Sequence, residues 1–383
     1  MSTVVPSEFH MSALRVAFVG GGSGGHLFPA IAIAEELLRQ NGECRFLFLT
    51  SHRMVDRRVL ESSNLPVTRT LVMPYVQLSS QSGFFRAAVR LPSLWRSFRQ
   101  ARLELQSFQP DVVVGLGAMA SVPGVVAADR MSLPVVLLEQ NCLPGRATRF
   151  LAHRATFTVF GLPVSDELTH NWPSQFRTCG TPVRTAICDL ARTFSSNTSS
   201  RRRLLILGGS QGSHSVNQIV AETLCGGAQI PSDWEIVHQT GDADVMSLRD
   251  RYRRQGIPVR VEAFLTDVGR ELATAGLVIS RAGAVTLQEL ACAGVPTILI
   301  PLSTVADNHQ WLNAKLLERS GAAILVDENQ ANARIFCGKA IEDLVSNEAL
   351  RHRMAESIRG LATPQATKEI IRLLIEVASG GKQ

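Results

Sequence analysis

From Arg15 onward, short runs of continuously apolar residues alternate with longer stretches whose apolar positions recur at helical spacing. Arg15–Val19 reads as a buried strand, and after a glycine-rich loop Pro29–Gln40 reads as a helix with proline in its first turn. The unit recurs: strands are predicted at Arg45–Leu49, at Asp111–Val114 before Gly115-Leu116-Gly117, and at Val135–Leu138 before Glu139-Gln140-Asn141. Strands apolar on both faces that alternate with helices predict a parallel sheet covered on both sides.

The rhythm stops between Thr178 and Arg203, where Ser195-Ser196-Asn197-Thr198-Ser199-Ser200 and Arg201–Arg203 read as a solvated linker. It restarts with a strand at Leu204–Leu207, the loop Gly208-Gly209-Ser210-Gln211-Gly212 and a helix at Ser213–Leu224. Further strands are expected at Trp234–His238, Val259–Glu262, Leu277–Ser280, Thr297–Ile300 and Ala323–Val326, with helices at Ala284–Ala293, Gln310–Ser320 and Ala333–Val345. The fold class expected is α/β, with two Rossmann-like, doubly wound parallel-sheet domains facing a cleft. The predicted divisions are an extension over residues 1–14, a first domain over 15–185, a linker over 186–203 and a second domain over 204–383. A last helix near Thr367–Ser379 fits against either domain.

Composition narrows the class without changing this picture. At 383 residues and 45% hydrophobic, the chain has material for two cores. Seven scattered cysteines without a C-x-x-C pair point to free thiols in a reducing compartment, with neither a disulfide framework nor a zinc site. The first fifteen residues lack a signal-peptide pattern, and the longest uncharged stretches are broken by Gly and Pro, so neither secretion nor a spanning helix is expected. Residues 1–183 hold 17 Arg, no Lys and 12 acidic side chains, which is most of the chain's net +6. Phe84–Arg102 carries Arg86, Arg90, Arg96, Arg99 and Arg102 with no acidic residue, interleaved with Phe84, Phe85, Leu94, Trp95 and Phe98. That mixture suits an anionic membrane surface. An ordinary solvated helix with one core face is the plainer account, and Pro92 argues against one unbroken helix.

Gly20, Gly22 and Gly25 satisfy G-x-G-x-x-G after a strand, the arrangement that lets backbone N–H groups and a helix N-terminus approach a pyrophosphate. The acidic residue that would hold an NAD ribose is missing from the end of the second strand, and Asp56 comes later. His26 follows Gly25 where a P-loop needs lysine, so ATP chemistry is not supported. Tight strand-to-helix packing also explains such glycines, but Gly208–Gly212 repeats the device in the second half, and two loops facing a cleft favour a diphosphate-bearing ligand. Ser280–Leu290 places a helix start near Gly283–Thr286, with Glu289 one turn on as an acceptor for ribose hydroxyls or, more plainly, as a solvated helix residue. Asp307, Asn308, His309 and Gln310 follow a buried strand and suit sugar hydroxyls. Asp242-Ala243-Asp244 matches D-x-D, but no other acidic cluster accompanies it and no metal site is assigned. A neutral His26 beside a reacting diphosphate is placed to take a proton from an incoming hydroxyl; a lone histidine is otherwise commonly structural.

Taken together, GGGSGGHLFP at Gly20–Pro29, Glu139-Gln140-Asn141, Thr181-Pro182-Val183-Arg184, GGSQG at Gly208–Gly212, RAGAVTLQE at Arg281–Glu289 and Asp307–Asn313 resemble, in order and spacing, the bacterial MurG family of glycosyltransferase family 28, the UDP-N-acetylglucosamine:lipid I N-acetylglucosaminyltransferases. The resemblance implies a GT-B fold in which the C-terminal domain holds UDP-GlcNAc and the N-terminal domain takes lipid I, the undecaprenyl-linked acceptor. It implies inversion, with the acceptor's muramyl C4 hydroxyl attacking the donor sugar to give lipid II for peptidoglycan synthesis. Carried over, the donor-binding set is Ser23, Gly24, Gly25, Asn141, Arg184, Ser210, Leu265, Ala284, Val285, Thr286, Leu287, Gln288, Glu289 and Gln310, and His26 is the matching position for a catalytic base. Phe84, Phe85, Arg86, Arg90, Trp95 and Arg96 fall where the family docks on the cytoplasmic face of the inner membrane as a peripheral protein. Other cell-wall synthesis proteins are possible partners; no cofactor, metal or nucleic acid is implied. Two features depart from the pattern: Gly115–Ser121 lacks the paired glycines and aromatic residue usual there, and Ser23 stands where Thr is frequent. Competing readings are another GT-B lipid glycosyltransferase, a UDP-GlcNAc 2-epimerase, which needs no membrane patch, and a catalytically inactive membrane-associated nucleotide-sugar-binding scaffold, which would be indifferent to His26→Ala.

Overall fold

Runs such as Phe46–Leu49 and Leu204–Leu207 present apolar side chains to both faces, so they are stable only as interior strands. The computed structural model describes residues 13–22, 24–61, 63, 65, 69–73, 84–193, 200–209, 212–303 and 308–380. Its first half runs β1 (Arg15–Val19), α1 (Gly24–Gln40), β2 (Arg45–Ser51), α2 (Met54–Glu61), β3 (Arg69–Met73), α3 (Phe84–Phe108), β4 (Val112–Gly115) and α4 (Val122–Arg130). It continues through β5 (Val135–Glu139), α5 (Arg146–Leu151), β6 (Phe157–Phe160), α6 (Asp166–Thr169), β7 (Gln175–Thr178) and α7 (Thr185–Thr193). The second half runs β8 (Arg203–Leu207), α8 (His214–Cys225), β9 (Glu235–Gln239), α9 (Val245–Arg254), β10 (Val259–Glu262), α10 (Val268–Thr274), β11 (Leu277–Ser280) and α11 (Ala284–Ala293). It ends with β12 (Thr297–Leu299), α12 (His309–Arg319), β13 (Ala323–Leu325), α13 (Ala333–Ser346), α14 (Glu348–Arg359) and α15 (Ala366–Gly380).

Among these residues the strands form two sheets, ordered β3-β2-β1-β4-β5-β6-β7 and β10-β9-β8-β11-β12-β13, with every pairing parallel. In both, the strand order reverses beside the first strand of the half, between β1 and β4 and between β8 and β11. Val19 lies opposite Gly115 and Leu207 opposite Ser280, so the loops that follow open a crevice at each reversal. One core layer joins α1 to the first sheet through Leu27, Ile33, Leu37, Phe18 and Phe46, and a separate layer in the second half joins α8 to Leu204, Ile206 and Tyr252.

Three expectations change. Helix α1 begins at Gly24, which puts Pro29 inside it rather than in its first turn. Helix α3 runs unbroken through Pro92; the lost hydrogen bond is outweighed by the turns beyond it, which bury Ser97, Ala101 and Leu105. The first part of the expected linker is α7, whose Ile187 and Cys188 pack on Val285 and Cys292 of α11. Helix α15 returns to the N-terminal sheet, where Ile370, Leu373 and Leu374 join Phe18, Leu27 and Val114.

Candidate active site

The glycine loop after β1 is held from behind. Asp56, fully buried at the start of α2, accepts from Gly22 N at 2.9 and 2.8 Å, from Ser51 N at 3.2 Å and from Ser51 Oγ at 2.5 Å. Gly22 has φ +96°, and a Cβ at Gly21 would lie 2.5 Å from the Asp56 carboxylate, so glycine is required by conformation at one position and by space at the next. Arg53 Nη1 donates to Gly22 O at 2.8 Å. Asp56, the acidic residue that follows the second strand, therefore serves the loop itself.

His26, in the first turn of α1, lies beside Gly117 of the turn after β4, where φ is +78° and a Cβ would meet the imidazole at 3.6 Å. Burial pushes its pKa below the ordinary histidine value, against the pull of Glu139 and Asp56, while His309 and Arg53 push it further down. Its ring is thus neutral near pH 7, with one ring nitrogen an acceptor in either tautomer. The Gly115–Ser121 loop, which departs from the family's pattern, forms a tight turn with Ala118 at φ +57° and a short 3-10 turn over Met119–Ser121.

Glu139, buried at the end of β5, accepts from Asn141 N at 3.1 Å, Asn141 Nδ2 at 3.0 Å, Gly145 N at 2.9 Å and Thr148 Oγ1 at 2.6 Å. That loop reaches the other domain. Asn313 of α12 donates through Nδ2 to Asn141 Oδ1 at 3.1 Å and to Ala282 O at 3.2 Å, and its Oδ1 accepts from Cys142 N at 3.2 Å. His309 Nδ1 donates to Leu143 O at 2.9 Å.

On the C-terminal side, α8 and α11 start at Ser213 and Gly283 without a side-chain cap, leaving their first N–H groups to the crevice. Burial raises Glu289 to about 7, with Arg184 pulling it back. Arg184 lies over the Phe28 ring of α1 at 5.1 Å, and its buried Nε has no hydrogen-bond partner among the described residues. Burial also raises Glu35 of α1, again opposed by Arg184. One guanidinium therefore acts electrostatically on a helix from each domain.

Asn141, Arg184, Ala284, Val285, Thr286, Glu289 and Gln310 stand on or beside the elements described above, and Gly25 and His26 lie in the first turn of α1. Leu265 and Leu287 are core side chains, and Gln288 is buried with Nε2 donating to Cys292 Sγ at 3.5 Å, so these three offer a ligand little but backbone. Gly24 opens α1, while Ser23, Ser210 and Asp307 lie outside the described residues. Phe84, Phe85, Arg86 and Arg90 are on the first turns of α3; further along it Arg96 is exposed, as is Trp95, with Arg99 5.7 Å from its ring. Asp244 of the D-x-D accepts from Asn217 Nδ2 at 2.8 Å and pairs with His214 at 3.1 Å. Sequence reasoning missed Asp56, Asn313 and Phe28 as site-builders, because each meets its partner only through the fold.

Residues 16–159 match the glycosyltransferase family 28 N-terminal domain, and residues 203–370 match the family's C-terminal domain. A UDP-N-acetylglucosamine--N-acetylmuramyl-(pentapeptide) pyrophosphoryl-undecaprenol N-acetylglucosamine transferase of Anaeromyxobacter dehalogenans is 34% identical over 95% of this chain and 93% of its own length. One of the same name from Azotobacter vinelandii is 35% identical over 96% and 99%. The crystal structure of Acinetobacter baumannii MurG superposes with TM-score 0.71 and 26% identity over 95% of this chain and 99% of that one. A UDP-GlcNAc 2-epimerase from Neisseria meningitidis reaches 0.66 at 13% identity over 95% and 100%, a likeness of fold. Full-length identity to the named transferases and the doubled parallel-sheet architecture agree, and the chain belongs to glycosyltransferase family 28, in its MurG group.

Proposed function

We propose that the chain moves N-acetylglucosamine from UDP-N-acetylglucosamine to the muramyl C4 hydroxyl of undecaprenyl-pyrophosphoryl-N-acetylmuramyl-pentapeptide, forming lipid II. The observation that carries this reading is the meeting of two loop systems at one cleft: His26, Glu139 and Asn141 on one wall, and the uncapped start of α11 with Glu289 and Arg184 on the other. In this reading the diphosphate lies at the N–H groups of Ala284, Val285 and Thr286, where the helix dipole and Arg184 stabilise the departing UDP. Glu289 accepts from the ribose hydroxyls. Gln310, whose carbonyl oxygen already accepts from Leu302 N at 3.0 Å, offers its amide NH2 to the sugar. The acceptor oxygen bonds to C1 as the C1–phosphate bond breaks, its proton passes to neutral His26, and the anomeric configuration inverts.

The acceptor is membrane-borne, and several exposed groups support peripheral docking. Trp95, Leu103 and Phe150 are more than half exposed; Arg154 lies 4.9 Å from the Phe150 ring; and α3 and α5 both contact α4. Among the described residues no helix is long and apolar enough to cross a membrane. An exposed Trp-Arg pair gains both from interfacial burial and from anionic lipid.

The test is transfer of labelled GlcNAc from UDP-GlcNAc to a short-chain lipid I analogue, with UDP-GalNAc as the control donor. Lipid II analogue formed from UDP-GlcNAc alone is the expected result; donor binding without product would overturn the acceptor assignment. Co-sedimentation with phosphatidylglycerol vesicles, lost at high salt and weakened in Trp95→Ala, checks the membrane face.

A further inference from the structure

The arginine that opens the RAGAVTLQE stretch is already occupied. Arg281 is nearly buried and donates from Nε to Ser213 Oγ at 2.9 Å, from Nη2 to Ser215 Oγ at 2.5 Å, and from Nη1 to Ile300 O at 2.9 Å and Glu328 Oε2 at 2.8 Å. Glu328, at 8% side-chain exposure, also accepts from Ser215 Oγ at 2.6 Å and, through Oε1, from Ser303 N and Ser303 Oγ at 3.0 Å each. Ser303 Oγ reaches Asn329 Oδ1 at 3.2 Å. Four segments meet at this pair: the end of the second glycine loop with the start of α8, the turn between β11 and α11, the loop after β12, and the loop after β13. All lie at the carboxyl edge of the C-terminal sheet, where the donor is read to bind.

We infer that Glu328 is a positioning residue for the donor site, acting through Arg281 and Ser303 to hold these loops in the shape that takes a nucleoside diphosphate sugar, while cancelling the Arg281 charge. The inference rests on the donor-site reading above. The guanidinium has spent four donor contacts on protein groups, so it supplies geometry and not a free cation; the charge for the diphosphate is left to Arg184 and helix N–H groups. Burial raises the Glu328 carboxyl, but the hydrogen bonds from Ser215 and Ser303 and the Arg281 contact outweigh it and keep it below the ordinary range. It is therefore ionised near neutral pH.

Glu328→Gln keeps the shape and removes the charge. The expected result is a UDP-GlcNAc KM raised about tenfold, a UDP dissociation constant raised in parallel, kcat within about threefold of the unaltered enzyme and the lipid I analogue KM unchanged. Arg281→Gln with Glu328→Gln tests the pairing: a double variant no worse than the worse single one supports a shared role, whereas multiplying effects would make Arg281 a direct donor contact and overturn it. A lower Tm with donor KM and UDP binding unchanged would leave Glu328 merely structural, and would equally overturn the inference. Absence of UDP binding by the unaltered chain would overturn the donor-site reading itself, and this inference with it.

Discussion

Glu289 and His26 belong to different halves of the molecule, and burial moves each toward its neutral form, the carboxyl up and the imidazole down. For Glu289 the folded value near 7 lies above the ordinary 4.5, so the folded state binds more protons between them, and this group's contribution to stability falls as pH rises through that window. If Glu289 accepts from the ribose hydroxyls as proposed, donor binding has the opposite slope, because the ionised carboxylate offers both oxygens as acceptors. The UDP-GlcNAc KM is therefore expected to fall roughly tenfold from about pH 6 to about pH 8, and Glu289→Gln to flatten that profile. A profile unchanged by the substitution would assign the titration elsewhere. His26→Ala is expected to lower kcat by roughly 10²–10⁴-fold with little change in UDP affinity; equal loss of both would make it a binding residue. The glycines, Glu289 and His26 were legible in the sequence because local spacing announces a strand–loop–helix unit. Asp56 was not: its bonds to Gly22 span 34 residues, and only the sheet brings α2 under the loop.

At the scale of elements, ten strands were found nearly to the residue, with β1, β10 and β11 as expected and the others shifted by one or two, while β3, β6 and β7 were not expected. β7 was invisible because Gln175–Thr178 is an exposed edge strand without apolar periodicity; it pairs with β6 through backbone bonds that any sequence offers. Pro92 misled because local propensity is a weaker term than the packing of the turns beyond it. The clamp on the first glycine loop is the most exposed to mutation. Asp56→Ala strands Gly22 N, Ser51 N and Ser51 Oγ in a buried site, and should lower unfolding free energy by about 3 kcal/mol in urea titration. A loss below about 1 kcal/mol would mean that water replaces the carboxylate.

Among the described residues the two halves meet at several places. Asn313 bonds to Asn141 and Cys142, and His309 to Leu143 O; Gly180, at φ +92°, lets the chain leaving the first sheet pass against Thr363 just before α15; and α15 closes the N-terminal core. Ile370, Ile371, Leu373, Leu374 and Val377 are all buried there; at about 1.5–3 kcal/mol each they are of the order of the whole stability of ~5–15 kcal/mol. A chain ending before Ala366 should leave the N-terminal domain unfolded or aggregated while residues 200–360 still bind UDP, as seen by limited proteolysis and calorimetry; a stable truncated N-terminal domain would refute that account. The sequence alone determined the doubled parallel-sheet architecture, the glycine loop after β1, the helix start at Gly283 and the family, because each of these is written in residues that are neighbours along the chain. The tertiary structure decided which sheet α15 completes, what holds each loop from behind, and how Asn141 meets Asn313 and Arg281 meets Glu328. Those pairings join residues far apart in sequence, and packing fixes them where local spacing leaves no trace.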